Sequence, residues 1–188
     1  MAETWFTSDL HLGHDFVARH RGFSSHEEHD AEVARQWDKR VRDADEVWVL
    51  GDVAMNGWSD RIRWFADRPG RKHLVLGNHD RAHPSQRNAH AHLSAYLDNF
   101  STVQTAAKVG GFLLSHFPYD GEGEGRPDDE DRYTQWRLRD EGTPLLHGHL
   151  HDTITGRLSL RRTPMIHVGL DAWGLRPATL HEVRTVFA

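Results

Sequence analysis

The sequence predicts an α/β protein, and three observations predict it. In the first half, short apolar runs alternate with stretches of helical periodicity, the signature of a parallel sheet built from βαβ units. The second half is rich in strand-like runs joined by short turns, which adds antiparallel or mixed sheet. With 188 residues, 37% of them hydrophobic, the chain is sized for one domain spanning 1–188 with a real core.

The elements follow in order. Residues 3–8 read as a strand that stops at Asp9. Residues 26–43 read as a helix, with Ser25 and Glu28 spaced as a capping box and Val33, Trp37 and Val41 at helical intervals. The run 46–50 is a strand broken by Gly51-Asp52. Ser59 opens a second helix with Ile62, Phe65 and Ala66 on one face, which Pro69-Gly70 stops. The run 72–76 is a strand broken by Gly77-Asn78. Pro84 starts a third helix with Ala89, Leu93 and Leu97 inward. Strand-like runs then cover 101–109, 111–116, 144–147, 153–168 and 179–187. Trp37, Trp48 and Trp64 fall at core-like positions, whereas Trp58, Trp136 and Trp173 sit in turn-like contexts where an indole could stack on a base or sugar. The acidic, Gly-rich stretch Asp120–Asp131 reads as a solvated loop or a flap beside a site.

Composition excludes several classes. No stretch approaches about 18 uninterrupted apolar residues, so no membrane-spanning helix is expected. The N-terminal residues lack a basic segment followed by an apolar one, so no secretory signal is visible. Cys is absent, which removes disulfide and thiolate chemistry and agrees with a cytoplasmic location. The net charge of -5 gives no basic field for long nucleic acid.

The chemistry lies in what ends each apolar run. The first ends in Asp9-Leu10-His11, the second in Gly51-Asp52, the third in Gly77-Asn78-His79-Asp80, the fourth in His116, and the fifth in Gly148-His149-Leu150-His151. Ligands bind outside the carboxyl ends of strands in open α/β sheets, so these ends meet at one edge as an oxygen- and nitrogen-ligated metal site. Asp9 and His11 are two apart, as are His149 and His151, and in extended backbone such pairs face one side. Two Asp, one Asn and four His exceed the needs of one tetrahedral ion and suit two ions sharing a carboxylate. Any one of these residues alone reads more simply, His116 as a packed histidine, Asp52 as a turn or cap; a turn, however, has no need of five metal-capable strand ends.

This order, D-x-H, G-D, G-N-H-D, a lone His and G-H-x-H, resembles the calcineurin-like metallophosphoesterase superfamily from Asp9 to His151. The resemblance implies two mixed sheets packed as a sandwich flanked by helices. It implies that Asp9, His11, Asp52 and His151 hold one metal, that Asp52 bridges, and that Asn78, His116 and His149 complete the second. It makes His79 the general acid or transition-state stabiliser, with Asp80 orienting its ring, and the nucleophile a metal-bridging hydroxide. Asn78, His79, His14 and His83 are candidates for substrate contact. Two divalent ions are expected, Mn²⁺ first, with Fe, Ni, Co or Zn as alternatives.

The sequence also departs from parts of that family. Met55 stands where many members carry a second acidic or Gly residue after G-D, and the Arg of the protein phosphatase branch is missing at its matching place. Asn78, His116 and His149 follow too closely for a large cap, and the tail His167-Val168-Gly169-Leu170-Asp171 with Arg176-Pro177 resembles small bacterial and phage members. The expected activity is phosphodiester hydrolysis on nucleotides, cyclic nucleotides or nucleic-acid ends. The alternatives are a phosphomonoesterase, a nuclease on longer DNA or RNA, and a non-catalytic metal-binding protein. The expected partner is a small phosphoester or nucleotide, with no membrane and no obligate protein partner.

Overall fold

A computed structural model describes residues 2–121 and 132–188. Strands β1 (Thr4–Thr7), β2 (Glu46–Val49), β3 (Arg71–Val75) and β4 (Thr102–Gln104) run parallel in that order. The second sheet is built from β5 (Ala107–Val109), β6 (Phe112–Leu114), β7 (Leu145–His147), β8 (Gly156–Leu158) and β9 (Pro164–His167), in spatial order β5-β6-β7-β9-β8. Its central three strands are parallel and its two edge strands antiparallel. Finally β10 (Ala178–Thr179) returns antiparallel to the β1 edge of the first sheet. Each sheet is therefore mixed and five-stranded.

The carboxyl-terminal parts of β1, β2 and β3 are mostly apolar on both faces because both faces are covered there. Phe6, Leu50 and Val75 pack against Leu114, Leu146 and Ile166 of the second sheet. Val47, Val49 and Leu74 point the other way, onto Val33 and Trp37 of α2 (His26–Asp38) and onto Ile62, Phe65, Tyr96 and Phe100. Two further short helices, α3 (Trp58–Arg61) and α4 (Leu93–Leu97), complete that outer layer, and α1 (Asp15–His20) follows the end of β1. The pairing of Thr7 with Val49 and of Val49 with Leu74 keeps the carboxyl ends of β1, β2 and β3 level.

Several elements differ from expectation. The 26–43 helix stops at Asp38; Ser25 caps it by accepting the Glu28 N–H at 3.4 Å, but the Glu28 carboxylate turns to Ser24, so the box stays half-closed. The helix expected from Ser59 is one α-turn continued by 3₁₀ turns over Ile62–Asp67, which leaves Ala66 exposed. No helix starts at Pro84. A 3₁₀ turn at Ala89–His92 leads into α4, where Tyr96 points inward while Leu93 and Leu97 are 38% and 50% exposed. The run 101–109 is divided between the two sheets. The run 179–187 is helix α5 (Leu180–Thr185), because Thr179 and Glu182 form a complete capping box that starts a helix where the apolar pattern suggested a strand. Helix α1 is too short to show a period in sequence. Most of the acidic stretch Asp120–Asp131 lies outside the described residues. Among the described residues, no helix is long and apolar enough to cross a membrane.

Candidate metal centre

Three of the five strands expected to deliver ligands, β1, β2 and β7, do so through an abrupt reversal of the backbone. Asp9 (φ 58°), His11 (φ 48°), Asp52 (φ 54°), His149 (φ 74°) and His151 (φ 54°) all adopt the left-handed region, where few residues with a side chain sit without cost. The pairs Asp9/His11 and His149/His151 therefore converge through left-handed turns, not through the alternation of an extended strand. Backbone bonds clamp the turns together: Asp9 N–H donates to Gly51 at 3.0 Å and His11 N–H to Asp52 at 2.9 Å. Close approach also demands glycine. A Cβ on Gly148 would lie 2.0 Å from Ser8 Oγ and 2.5 Å from Asp9 Oδ2, and one on Gly77 would lie 2.3 Å from Asp52 Oδ1.

The result is two groups of donors. Asp9, His11 and His151 form one; Asp52, His116 and His149 form the other; in each group the donor atoms lie within 4.8 Å of one another. Asp52 Oδ2 lies between them, 3.4 Å from His116 Nε2 and 3.7 Å from His11 Nε2. Its other oxygen accepts the His79 N–H at 2.9 Å. Asn78 Oδ1 is 3.1 Å from His116 Nε2, so Asn78 joins the second group. His116 is turned to this task by its Nδ1, which meets the Leu50 carbonyl at 2.7 Å.

This donor set fits divalent cations. Asp9 Oδ1 is buried and accepts no hydrogen bond. The facing imidazole nitrogens of His11 and His151 are 3.0 Å apart, and those of His116 and His149 are 3.2 Å apart. Anionic oxygens and converging ring nitrogens at such spacings are satisfied by a cation between them. Without a cation, the buried carboxylates and imidazoles titrate against one another. Burial alone would raise Asp9 and Asp52, but the surrounding histidines hold both below the ordinary carboxylate range. Burial pulls His116 down, yet the Asp52 carboxylate outweighs it and pushes His116 up to about 10. His11 is lowered to about 3, chiefly by burial, which leaves its ring neutral with a free electron pair.

The other expected residues divide. His79 stands at the mouth with a half-exposed side chain, its Nε2 4.0 Å from Asp52 Oδ2. Asp80 does not orient that ring. Its buried carboxylate accepts the N–H groups of Gly77 (2.7 Å), Asp52 (3.0 Å) and Val53 (3.1 Å), so it fixes the backbone that carries Asp52 and Asn78. Burial and the nearby Asp52 carboxylate push Asp80 up to about 7. His14 caps α1 through the Val17 N–H and sets its ring 5.7 Å from that of His11, edge to face. His83 is buried against Phe117 and Trp136 with its Nδ1 on Ser85, which leaves it no surface for a substrate. Trp173 donates to the His167 carbonyl, and Trp58 stacks on Tyr96, so both indoles have partners within the fold.

Two residues outside the expected set support the centre. Asp171 accepts a bidentate pair from Arg21 (2.8 and 2.7 Å) and meets His151 Nδ1 at 3.1 Å. Arg21 also donates to the Asp9 carbonyl at 2.8 Å. A carboxylate behind a histidine fixes its tautomer and aims its other nitrogen forward. Asp171 was visible only as part of the tail, and Arg21 left no signal, because the contact joins residues 150 apart in sequence.

A buried constellation of carboxylates and imidazoles at the carboxyl edges of two packed mixed sheets defines a metal-dependent hydrolase. The family model described as calcineurin-like phosphoesterase matches residues 3–158, and the chain belongs to that family. It is 47% identical over 189 residues to the Gene 66 protein of Mycobacterium phage L5, covering 93% of this chain and 89% of the relative. It is 46% identical over 185 residues to the Gene 66 protein of Mycobacterium phage D29, covering 92% and 90%. A crystal structure of a protein of unknown function from Aquifex aeolicus superposes with a TM-score of 0.66 over the full length of both chains at 22% identity, a likeness of fold.

Proposed function

We propose that the protein is a dinuclear metal-dependent phosphodiesterase acting on nucleotides, cyclic nucleotides or nucleic-acid ends, with Mn²⁺ as the preferred ion. The observation that carries this reading is the position of Asp52 between two donor groups with the His79 imidazole beside it at an open mouth. Divalent ions held by Asp9, His11, His151 and by Asp52, Asn78, His116, His149 would supply Lewis-acid activation of water and of the phosphoryl oxygens. The chain's own residues do the rest. Asp52, pinned by the His79 N–H, keeps its second oxygen between the groups. When the P–O bond to the leaving alcohol breaks, the departing oxygen needs a proton, and His79 Nε2 is the exposed imidazole placed to hold it.

A diester is favoured over a monoester because a monoester carries an extra negative charge, and among the described residues neither donor group contains a guanidinium to offset it. Arg21, which reaches the back of the centre, is committed to Asp171 and to backbone carbonyls. The test compares a chromogenic phosphodiester with its monoester using metal-stripped protein and added Mn²⁺, Mg²⁺, Ni²⁺ or Zn²⁺. Diester turnover only with added metal, highest with Mn²⁺, is expected. Monoester turnover alone would make the protein a phosphatase, and no turnover from protein holding two ions would make it a non-catalytic metal binder.

A further inference from the structure

Helix α1 turns an aromatic ring outward beside the centre. Phe16 is 68% exposed, far more than the rest of the chain's aromatic core residues, and nothing in the core requires it there. Its ring lies parallel to that of His20, with centroids 6.5 Å apart and planes 7° apart, and 6.3 Å from that of His14. These rings wall a cleft of about 280 Å³ whose remaining lining includes His11, His79 and His151. Whatever enters that cleft therefore sits next to donor residues of the centre. A second cleft that shares His79, of about 330 Å³, is lined by Asn56, Arg81 and Gln86 together with Met55 and Trp58. Of the two, only the cleft beside α1 combines an outward-facing Phe ring with the imidazoles of the donor groups.

We propose, on the phosphodiesterase reading above, that the cleft beside α1 is a nucleobase subsite in which Phe16 stacks on the base of the nucleoside esterified to the reacting phosphate. The wall is flat, and each base offers a π-face that stacks on an aromatic ring whatever its sequence identity. The flanking imidazoles of His14 and His20 supply hydrogen-bonding nitrogens for the base edge.

The test uses the full chain loaded with Mn²⁺ and two substrates with the same leaving group, thymidine 5′-(p-nitrophenyl phosphate) and methyl p-nitrophenyl phosphate. Phe16→Ala is expected to raise KM for the thymidine ester about tenfold relative to the methyl ester, with kcat little changed. Phe16→Trp is expected to restore it, as a stacking surface does and a packing residue need not. Equal shifts for both esters, or none, would overturn the subsite. A second readout needs no turnover: AMP should quench the fluorescence of Phe16→Trp beyond that of the wild-type chain, and the absence of that extra quenching would also overturn the subsite. Loss of turnover on both esters together with normal AMP quenching would instead overturn the phosphodiesterase reading.

Discussion

Asp52 shows how much one residue carries. It occupies a left-handed backbone conformation, donates no hydrogen bond through its side chain, and presents one oxygen to two sets of imidazoles. Asp52→Ala should abolish both ion binding and turnover; elemental analysis that still finds two ions per chain would disprove the shared role. His79→Ala should keep both ions yet slow diester hydrolysis by about 10²- to 10⁴-fold, the usual range for a lost proton donor, and most for poor leaving groups. An unchanged rate would remove His79 from the chemistry. The residues of the centre are legible in sequence because each follows an apolar run, and glycine precedes Asp52, Asn78 and His149. Their conformations are not. The i, i+2 pairs pointed to extended strands, whereas positive φ at Asp9, His11, His149 and His151 aims them. The family resemblance implies that Asp80 orients His79, but the folded loop converges three N–H groups on its carboxylate instead.

At the scale of elements, the strands that feed the centre are legible in the sequence and several helices are not. Strands β1, β2 and β3 end abruptly in buried, mostly apolar residues, and burial on both faces at those carboxyl ends explains the pattern. Helix α5 went unseen because its capping box outweighs a locally strand-like composition, and α4 was misphased because its inward residue is Tyr96. The junction that starts β2 holds a test. The Asp45 carboxylate accepts from the N–H groups of Glu3, Arg42 and the Trp5 indole at 2.9 to 3.0 Å, tying the chain before β2 to β1. Burial would raise Asp45, but those donors overcome it and hold it below the ordinary range. Its folded value lies below its unfolded one of about 3.9, so its stabilisation is complete above that pH and is lost as pH falls through the folded value. Asp45→Asn should cost roughly 1–3 kcal/mol in urea unfolding at neutral pH, and the gap to wild type should narrow below about pH 4. A constant gap across that range would show that the carboxylate's charge is not the source.

For the whole molecule, the centre is a junction between distant parts of the chain. Arg21, after the first helix, and Asp171, near the C-terminal end, together brace His151, which itself follows the second sheet's central strand. Asp171→Asn should weaken Mn²⁺ binding by about 10- to 100-fold, read by calorimetry, while thermal unfolding of the metal-free chain moves little. Undiminished affinity would reduce the Arg21–Asp171 pair to a structural tie. The sequence by itself determined the α/β class, the strands that end in metal-capable residues and the family resemblance, because these follow from local periodicity and short motifs. Only the tertiary structure decided which donors face one another, that Asp80 serves the backbone and His83 the core, and that Arg21 and Asp171 stand behind the centre. Those outcomes depend on contacts between residues far apart in the chain, and no local pattern encodes such distances.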